Sequence, residues 1–187
     1  MPIAHAHEIL GLHPDSGQHK PAREFSSTQV NLQEPLAGHV RAFGAMIPQH
    51  KLAEDGREEE PHITVKYGLE DETHHGAARA IKGEGPITAK LGTMSLFKGP
   101  DAHVLKVDVH SPDLHRLNGK IKKAVPTTDT HPKYKPHLTI AYLKPGEGKK
   151  YEGRPIPNVT GKTVTFDHVV FSGKNKERHN IPLTKPS

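Results

Sequence analysis

Two short stretches of this chain share one pattern. Pro61-His-Ile-Thr-Val-Lys-Tyr67 and Pro136-His-Leu-Thr-Ile-Ala-Tyr142 each run proline, histidine, aliphatic, threonine, aliphatic, variable, tyrosine. Both are rich in β-branched and aromatic residues and open on proline, so each reads as a strand. In a strand, residues i and i+2 share a face. His62 and Thr64 therefore point the same way, as do His137 and Thr139, while Ile63, Val65, Leu138 and Ile140 point into the core. A histidine beside a hydroxyl on an otherwise apolar strand is costly unless that face lines a cleft.

Brought together across a pseudo-twofold axis, the two strands would flank one point with two imidazoles, each beside a threonine hydroxyl. Cleaving a phosphodiester needs one oxygen deprotonated and another protonated. Imidazole titrates near neutral pH, so one ring can be the base and the other the acid. The threonines can donate hydrogen bonds to non-bridging oxygens, where charge must be stabilised. The scheme asks for no metal and no cofactor.

The elements that would position these strands form an internal repeat. The first unit runs strand Ser27–Leu32, helix Leu36–Ile47 (Val40, Phe43 and Ile47 on one face), a charged loop Glu54–Glu60, then the first motif. The second runs strand His103–Val109, helix 112–124, loop Pro126–Lys135, then the second motif. Ser111-Pro112 is a strong helix start, a hydroxyl cap followed by proline at the first helical position. Leu114, Leu117 and Ile121 mark that helix's buried side. A short helix over His74–Lys82 capped by Thr73, a strand Ile87–Leu96 and a last strand Thr163–Phe171 complete the expected elements. Two units are too few for a solenoid, but they suit a two-lobed fold with its ligand site between the lobes.

Around the motifs the readings are less specific. Tyr67 and Tyr142 stand five residues after each histidine, an odd offset that puts them on the opposite face unless a bulge intervenes. Core packing is the favoured reading, with substrate contact by Tyr142 as the rival. Lys66 shares the face of His62 and can meet a phosphate, or be an ordinary strand-end lysine; its counterpart is Ala141. Tyr134 and Lys135 can form a rim contact before the second motif. Phe97, beside the Lys98-Gly-Pro turn, can stack on a base or belong to the core.

The 187 residues suffice for one domain with a real core. The expected division is a polar, flexible arm over 1–24, the domain over 25–172 and a polar tail over 173–187. Cysteine is absent, which excludes disulfides and thiolate metal sites. No apolar run approaches the roughly 20 residues of a membrane span, and the first residues lack the order of a signal peptide. A soluble cytoplasmic monomer with no obligatory protein partner is expected. The excess of 26 basic over 21 acidic residues leans weakly toward a nucleotide or RNA partner. Among the 16 histidines, His5, His7, His13, His19, His74 and His75 lack carboxylates or cysteines at ligand spacing, so the metal reading is "none". Neither GxxxxGK[ST] nor GxGxxG occurs, which leaves nucleoside triphosphate motors and kinases unsupported.

The paired motifs and their element order resemble the two-histidine (2H) phosphoesterase superfamily, over roughly Phe25 to Phe171. That superfamily includes 2′-5′ RNA ligase-like proteins and cyclic nucleotide phosphodiesterases. The resemblance implies a bilobal α+β fold, pseudo-symmetric lobes of β-sheet flanked by helices around a central cleft. It carries catalytic roles onto His62 and His137, and phosphate-binding roles onto Thr64 and Thr139. Pro61–Leu69 and Lys135–Leu143 are also similar to phage and prophage-associated members, some of which destroy cyclic oligonucleotide signals of antiviral defence. The expected activity is a phosphodiesterase acting on 2′,3′-cyclic phosphate RNA ends or cyclic (oligo)nucleotides. An RNA-binding module without turnover, a 2′-5′ RNA ligase and a virion accessory domain are the alternatives.

Overall fold

A computed structural model describes residues 23–129 and 133–185. The proposed arm lies almost wholly outside them; of it only Arg23 and Glu24 are seen, with Arg23 donating to Ser172 Oγ at 2.7 Å.

Nine strands form one antiparallel sheet: β1 (Ser26–Asn31), β2 (Leu52–Arg57), β3 (His62–Leu69), β4 (Ile87–Lys98), β5 (His103–His110), β6 (His137–Leu143), β7 (Thr163–Phe166), β8 (His168–Ser172) and β9 (Arg178–Pro182). Among the described residues three α-helices accompany them: α1 (Leu36–Ala45), α2 (His75–Ala80) and α3 (Pro112–Ala124). The order across the sheet is β7-β4-β5-β6-β3-β1-β8-β9, with β2 pairing β6 beside β3. The order is symmetric about the β6/β3 seam. β5 flanks β6 as β1 flanks β3, then come β4 and β8, then β7 and β9. This is the α+β architecture of two pseudo-symmetric halves that the internal repeat implied.

The helices exchange halves. α1, from the first unit, packs on β6, and α3, from the second, packs on β3 and β4. The backbone of Gly44 in α1 comes so close to Ile140 that a Cβ there would sit 3.5 Å from the isoleucine Cγ2. On the other side Leu114, Leu117 and Ile121 of α3 are fully buried, as are Ile63 and Val65 of β3. Full burial of such a side chain contributes about 1.5–3 kcal/mol, so these contacts dominate what holds α3 on the sheet. α3 begins where its sequence says it should. Ser111 Oγ accepts from Leu114 N at 3.1 Å and donates to the Thr88 carbonyl at 2.6 Å, which ties the helix start to β4.

Four elements differ from expectation. The charged loop over Glu54–Glu60 is in part β2, because its backbone finds partners on β6 at Leu52↔Leu143 and Arg57↔Ala141. The polar tail holds β9, whose backbone pairs with β8 from His168↔Pro182 to Ser172↔Arg178. Thr163–Phe171 is two strands, broken at Asp167: β7 joins β4 while β8 crosses to β1. α2 starts from His74 with no side-chain cap, so Thr73 does not cap it. In the three strand cases alternation or polarity described the side chains, while strand partners decided the backbone. Among the described residues no helix is long and apolar enough to cross a membrane.

Candidate functional site

The two motif strands meet at the centre of the sheet. β3 and β6 are paired through Ile63↔Leu138. Continuing that antiparallel register one residue each way sets His62 against Thr139 and Thr64 against His137. The four side chains form a square on the face opposite the core. All are buried: His62 and His137 are each 7% exposed, Thr64 9% and Thr139 2%.

Both imidazoles are held in the same way. His62 Nδ1 donates to the Glu60 carbonyl and His137 Nδ1 to the Lys135 carbonyl, each at 2.8 Å and each two residues upstream. A carbonyl can only accept, so Nδ1 carries the hydrogen and each Nε2 is the atom that takes or gives a proton. His137 Nε2 and Thr139 Oγ1 are buried with no hydrogen-bond partner among the described residues. Unsatisfied buried polar atoms are rare, and two adjacent ones mark a surface shaped for a ligand. Burial pushes the His137 imidazole down to about 4; the Lys135 carbonyl works against this, and the charges of Lys106 and His62 add to it.

Past Thr64, β3 runs beyond the start of β6 at His137. The Thr64 carbonyl accepts from the Tyr134 hydroxyl at 2.7 Å, and the Val65 carbonyl from Asn118 Nδ2 of α3 at 2.7 Å. Tyr134 is thus a tether between the loop before β6 and the strand of the first motif, rather than a free rim contact. Its ring also meets His115 edge-on at 5.2 Å. Burial pushes its hydroxyl pKa up.

Two register shifts decide the faces of the flanking residues. Along β5/β6, Asp108↔His137 and Lys106↔Thr139 are followed by Leu105↔Ala141 and Val104↔Tyr142, so β6 carries one extra residue at Ile140. Val104, Lys106 and Asp108 share a face of β5, and Tyr142 therefore lies on the His137 side. There it clusters with Val104, Ala53 and Phe97, apart from the main core. Phe97 opposes Val104 on β4 and so joins the same side. Burial, then the charges of Glu58 and Asp55, push the Tyr142 hydroxyl well above its usual range.

β1/β3 has the matching shift. Gln29↔Thr64 is followed by Thr28↔Lys66, which inserts an extra residue at Val65. Adjacent Thr28 and Gln29 face opposite ways, so Lys66 is turned from the His62 face to the side of α3. The expected shared face for Lys66 does not form. Its ammonium binds Asp129 Oδ1 at 2.7 Å, and Lys122 of α3 holds Asp129 Oδ2 at 2.8 Å. Tyr67 stays out of the main core and packs edge-on against Phe25, with centroids 5.9 Å apart. Lys135 has an exposed side chain next to the second motif.

Three charged residues at the site escaped the sequence reading. Lys106 Nζ donates to Ser95 Oγ at 2.7 Å and to Asp108 Oδ1 at 2.9 Å, opposite Thr139 and His137. Burial raises the Asp108 carboxyl, but the bonds from Lys106 and Ser95 win and hold it below its usual value. The third is Glu58, whose Oε1 lies 3.9 Å from His62 Nδ1 with both side chains buried. The alternation of Val-Leu-Lys-Val-Asp-Val in β5 could have flagged Lys106 and Asp108. Nothing local flags Glu58. Across β3, the positions matching Asp108 and Lys106 are Asn31 and Gln29, bonded to each other at 2.6 Å, so the two sides differ in charge.

No group of three or more His, Asp or Glu side chains among the described residues is arranged to hold a metal ion. His74 stacks on His179 at 4.2 Å and lies 4.3 Å from His75, which presents ring faces rather than converging nitrogens. His5, His7, His13 and His19 lie outside the described residues.

Known proteins share this arrangement of strands. TT0787 of Thermus thermophilus matches with a TM-score of 0.58 and 16% identity, over 87% of this chain and 100% of that one. E. coli LigT in its apo form matches with a TM-score of 0.52 and 15% identity, over 88% of this chain and 96% of that one. LigT complexed with phosphate matches over the same shares, with a TM-score of 0.53 and 14% identity. No curated protein sequence matches the chain. The family model of the 2′-5′ RNA ligase superfamily matches residues 28–152, from β1 through both motifs, which is more than half of the 187 residues. With the fold and that match in agreement, this chain belongs to the 2′-5′ RNA ligase superfamily, the two-histidine phosphoesterases.

Proposed function

We propose that this protein is a phosphodiesterase that acts on 2′,3′-cyclic phosphate RNA ends or on cyclic (oligo)nucleotides, with His62 and His137 carrying both proton transfers. The observation that carries this reading is the buried square of His62, Thr64, His137 and Thr139, with His137 Nε2 and Thr139 Oγ1 unsatisfied from within. One Nε2 takes a proton from water as its oxygen attacks phosphorus. The other gives a proton to the ribose oxygen as its bond to phosphorus breaks. Thr64 and Thr139 donate to the non-bridging oxygens, and Lys106, beside Thr139, adds positive charge there. LigT, which has this fold, has been seen with phosphate bound. Tyr142 and Phe97 supply an aromatic wall on the same face for a base, and Lys135 a cation at the rim. Lys66, engaged by Asp129, has no part in it.

The family's name favours one further reading, joining of RNA ends by the same site run in reverse. Both are tested by incubating the protein in EDTA with 2′,3′-cyclic nucleotides, short RNAs with 2′,3′-cyclic or 5′-hydroxyl ends, and cyclic di- and trinucleotides. Ring opening that survives EDTA and drops by about 10²–10⁴-fold in both His62→Ala and His137→Ala supports the proposal. Joined products point to ligation. Binding of these ligands with no turnover of any of them would reduce the protein to a binding module and sink the hydrolytic reading.

A further inference from the structure

Beside the square, β5 and β4 carry a polar network that the two proton transfers do not use. Lys106 stands opposite Thr139 and Asp108 opposite His137, on the face of the square. Ser95 of β4 stands opposite Lys106. The Ser95 hydroxyl donates to Asp108 Oδ1 at 2.7 Å and accepts from Lys106 Nζ at 2.7 Å, and Nζ also donates to Oδ1 at 2.9 Å. This closed ring fixes both charged groups. Among the described residues it occupies two of the three ammonium hydrogens and one of the two carboxylate oxygens. One N–H of Lys106 and Asp108 Oδ2 remain, a donor next to an acceptor. The Asp108 side chain is 57% exposed, so a ligand can reach it. Burial raises its carboxyl, but the bonds from Lys106 and Ser95 hold it below its usual value, so it presents only acceptors at neutral pH. Half-buried Phe97 opposes Val104, two residues along β5 from Lys106, or about 7 Å on the same face. A base laid on Phe97 thus brings its edge to the network. The positions matching Asp108 and Lys106 across β3 are the neutral, mutually bonded Asn31 and Gln29, so this charged pair belongs to the His137 half.

We infer that Lys106 and Asp108 are specificity-determining residues that read the base of the nucleotide whose phosphate occupies the square, and that the base they select is guanine. The inference rests on the phosphodiesterase reading above and deepens it by naming the base. Guanine presents a carbonyl oxygen, a ring N–H and an exocyclic amine in a row. Lys106 donates to the carbonyl. Asp108 Oδ2, with two lone pairs, accepts from the ring N–H and the amine. In the same pose adenine and cytosine set an amine against the ammonium and a bare ring nitrogen against the carboxylate. Uracil keeps the first two groups but ends on a second carbonyl, which faces the carboxylate. Ser95 makes the discrimination firm, because its hydroxyl holds donor and acceptor in one fixed order.

The test compares nucleoside 2′,3′-cyclic phosphates that differ only in the base. In the wild type kcat/KM on guanosine should exceed that on adenosine by about tenfold, the lower part of the range for a paired base contact, because Asp108 is more than half exposed. Inosine, which lacks the amine, should fall between them, and 1-methylguanosine, which lacks the ring N–H, should fall to the adenosine level. These substrates need no variant. Asp108→Asn keeps an oxygen toward Ser95 and Lys106 and sets an NH2 in place of Oδ2, a donor facing donors. The advantage of guanosine should then vanish, with the loss mainly in KM. Calorimetric affinities for guanosine and adenosine 3′-monophosphate need no turnover and should follow the same order. Equal kcat/KM on guanosine and adenosine in the wild type, or a guanosine preference untouched by Asp108→Asn, would overturn the inference. So would an Asp108→Asn loss that is equal on every base and resides in kcat, since Asp108 would then serve His137 instead of a base. Absence of wild-type turnover on every base would sink the phosphodiesterase reading, and the affinities for the two monophosphates would still decide the choice of base.

Discussion

Acidifying the solution from about pH 7 to about pH 5 should cost the folded state about 2 kcal/mol through His137 alone. The imidazole falls from an ordinary value of 6.5 to about 4 in the folded protein, chiefly because it is buried. Between those values the unfolded chain takes up a proton at His137 that the folded chain refuses. The unfolded state therefore binds more protons, and stability declines as pH falls below 6.5, levelling off below about 4. The whole shift corresponds to about 3 kcal/mol, of which about 2 is lost by pH 5. His137→Gln keeps a neutral polar group there and cannot take the proton. Urea unfolding of wild type and His137→Gln, each at both pH values, isolates the effect, because every other titrating group is common to both chains. The wild type should lose about 2 kcal/mol more than the variant. Equal losses, to within about 0.5 kcal/mol, would show that His137 protonates in place and would refute the account of its burial.

Two further outcomes test the scaffold. Tyr134→Phe removes the hydroxyl that satisfies the Thr64 carbonyl beside the start of β6; stability should drop by about 1–2 kcal/mol in denaturant titration, and kcat should fall more than KM rises. Gly68→Ala should destabilise by about 3 kcal/mol or more, read as a lower thermal midpoint, because φ is +80° and the new Cβ would stand 2.2 Å from the Thr128 carbonyl oxygen.

Much of the centre of this fold was legible in the chain because its causes are local. Period-two alternation in Pro61–Tyr67 and Pro136–Tyr142 set His62 with Thr64 and His137 with Thr139, and the repeat around them implied a symmetric pairing. Ser111-Pro112 marked the start of α3, and Leu114, Leu117 and Ile121 marked its buried side. These signals operate within one strand or one helical turn, where neighbouring residues dictate direction. The edge elements were less visible. β2 and β9 are polar by composition, and only their partners β6 and β8 make them strands.

The sequence by itself thus determined that two histidine-threonine strands exist, that they belong to equivalent units and which of their side chains share a face. Tertiary structure decided what surrounds them. The extra residues at Ile140 and Val65 belong to the pairing of two strands, β5 with β6 and β1 with β3, which no single strand records. They bring Tyr142 to the site and turn Lys66 to Asp129. The same holds for charge. Glu58 meets His62 through the β2–β3 connection, and Lys106 with Asp108 lies opposite Thr139 and His137 through the pairing of β5 with β6. Electrostatic neighbours are set by distance in space, and that distance is created by folding.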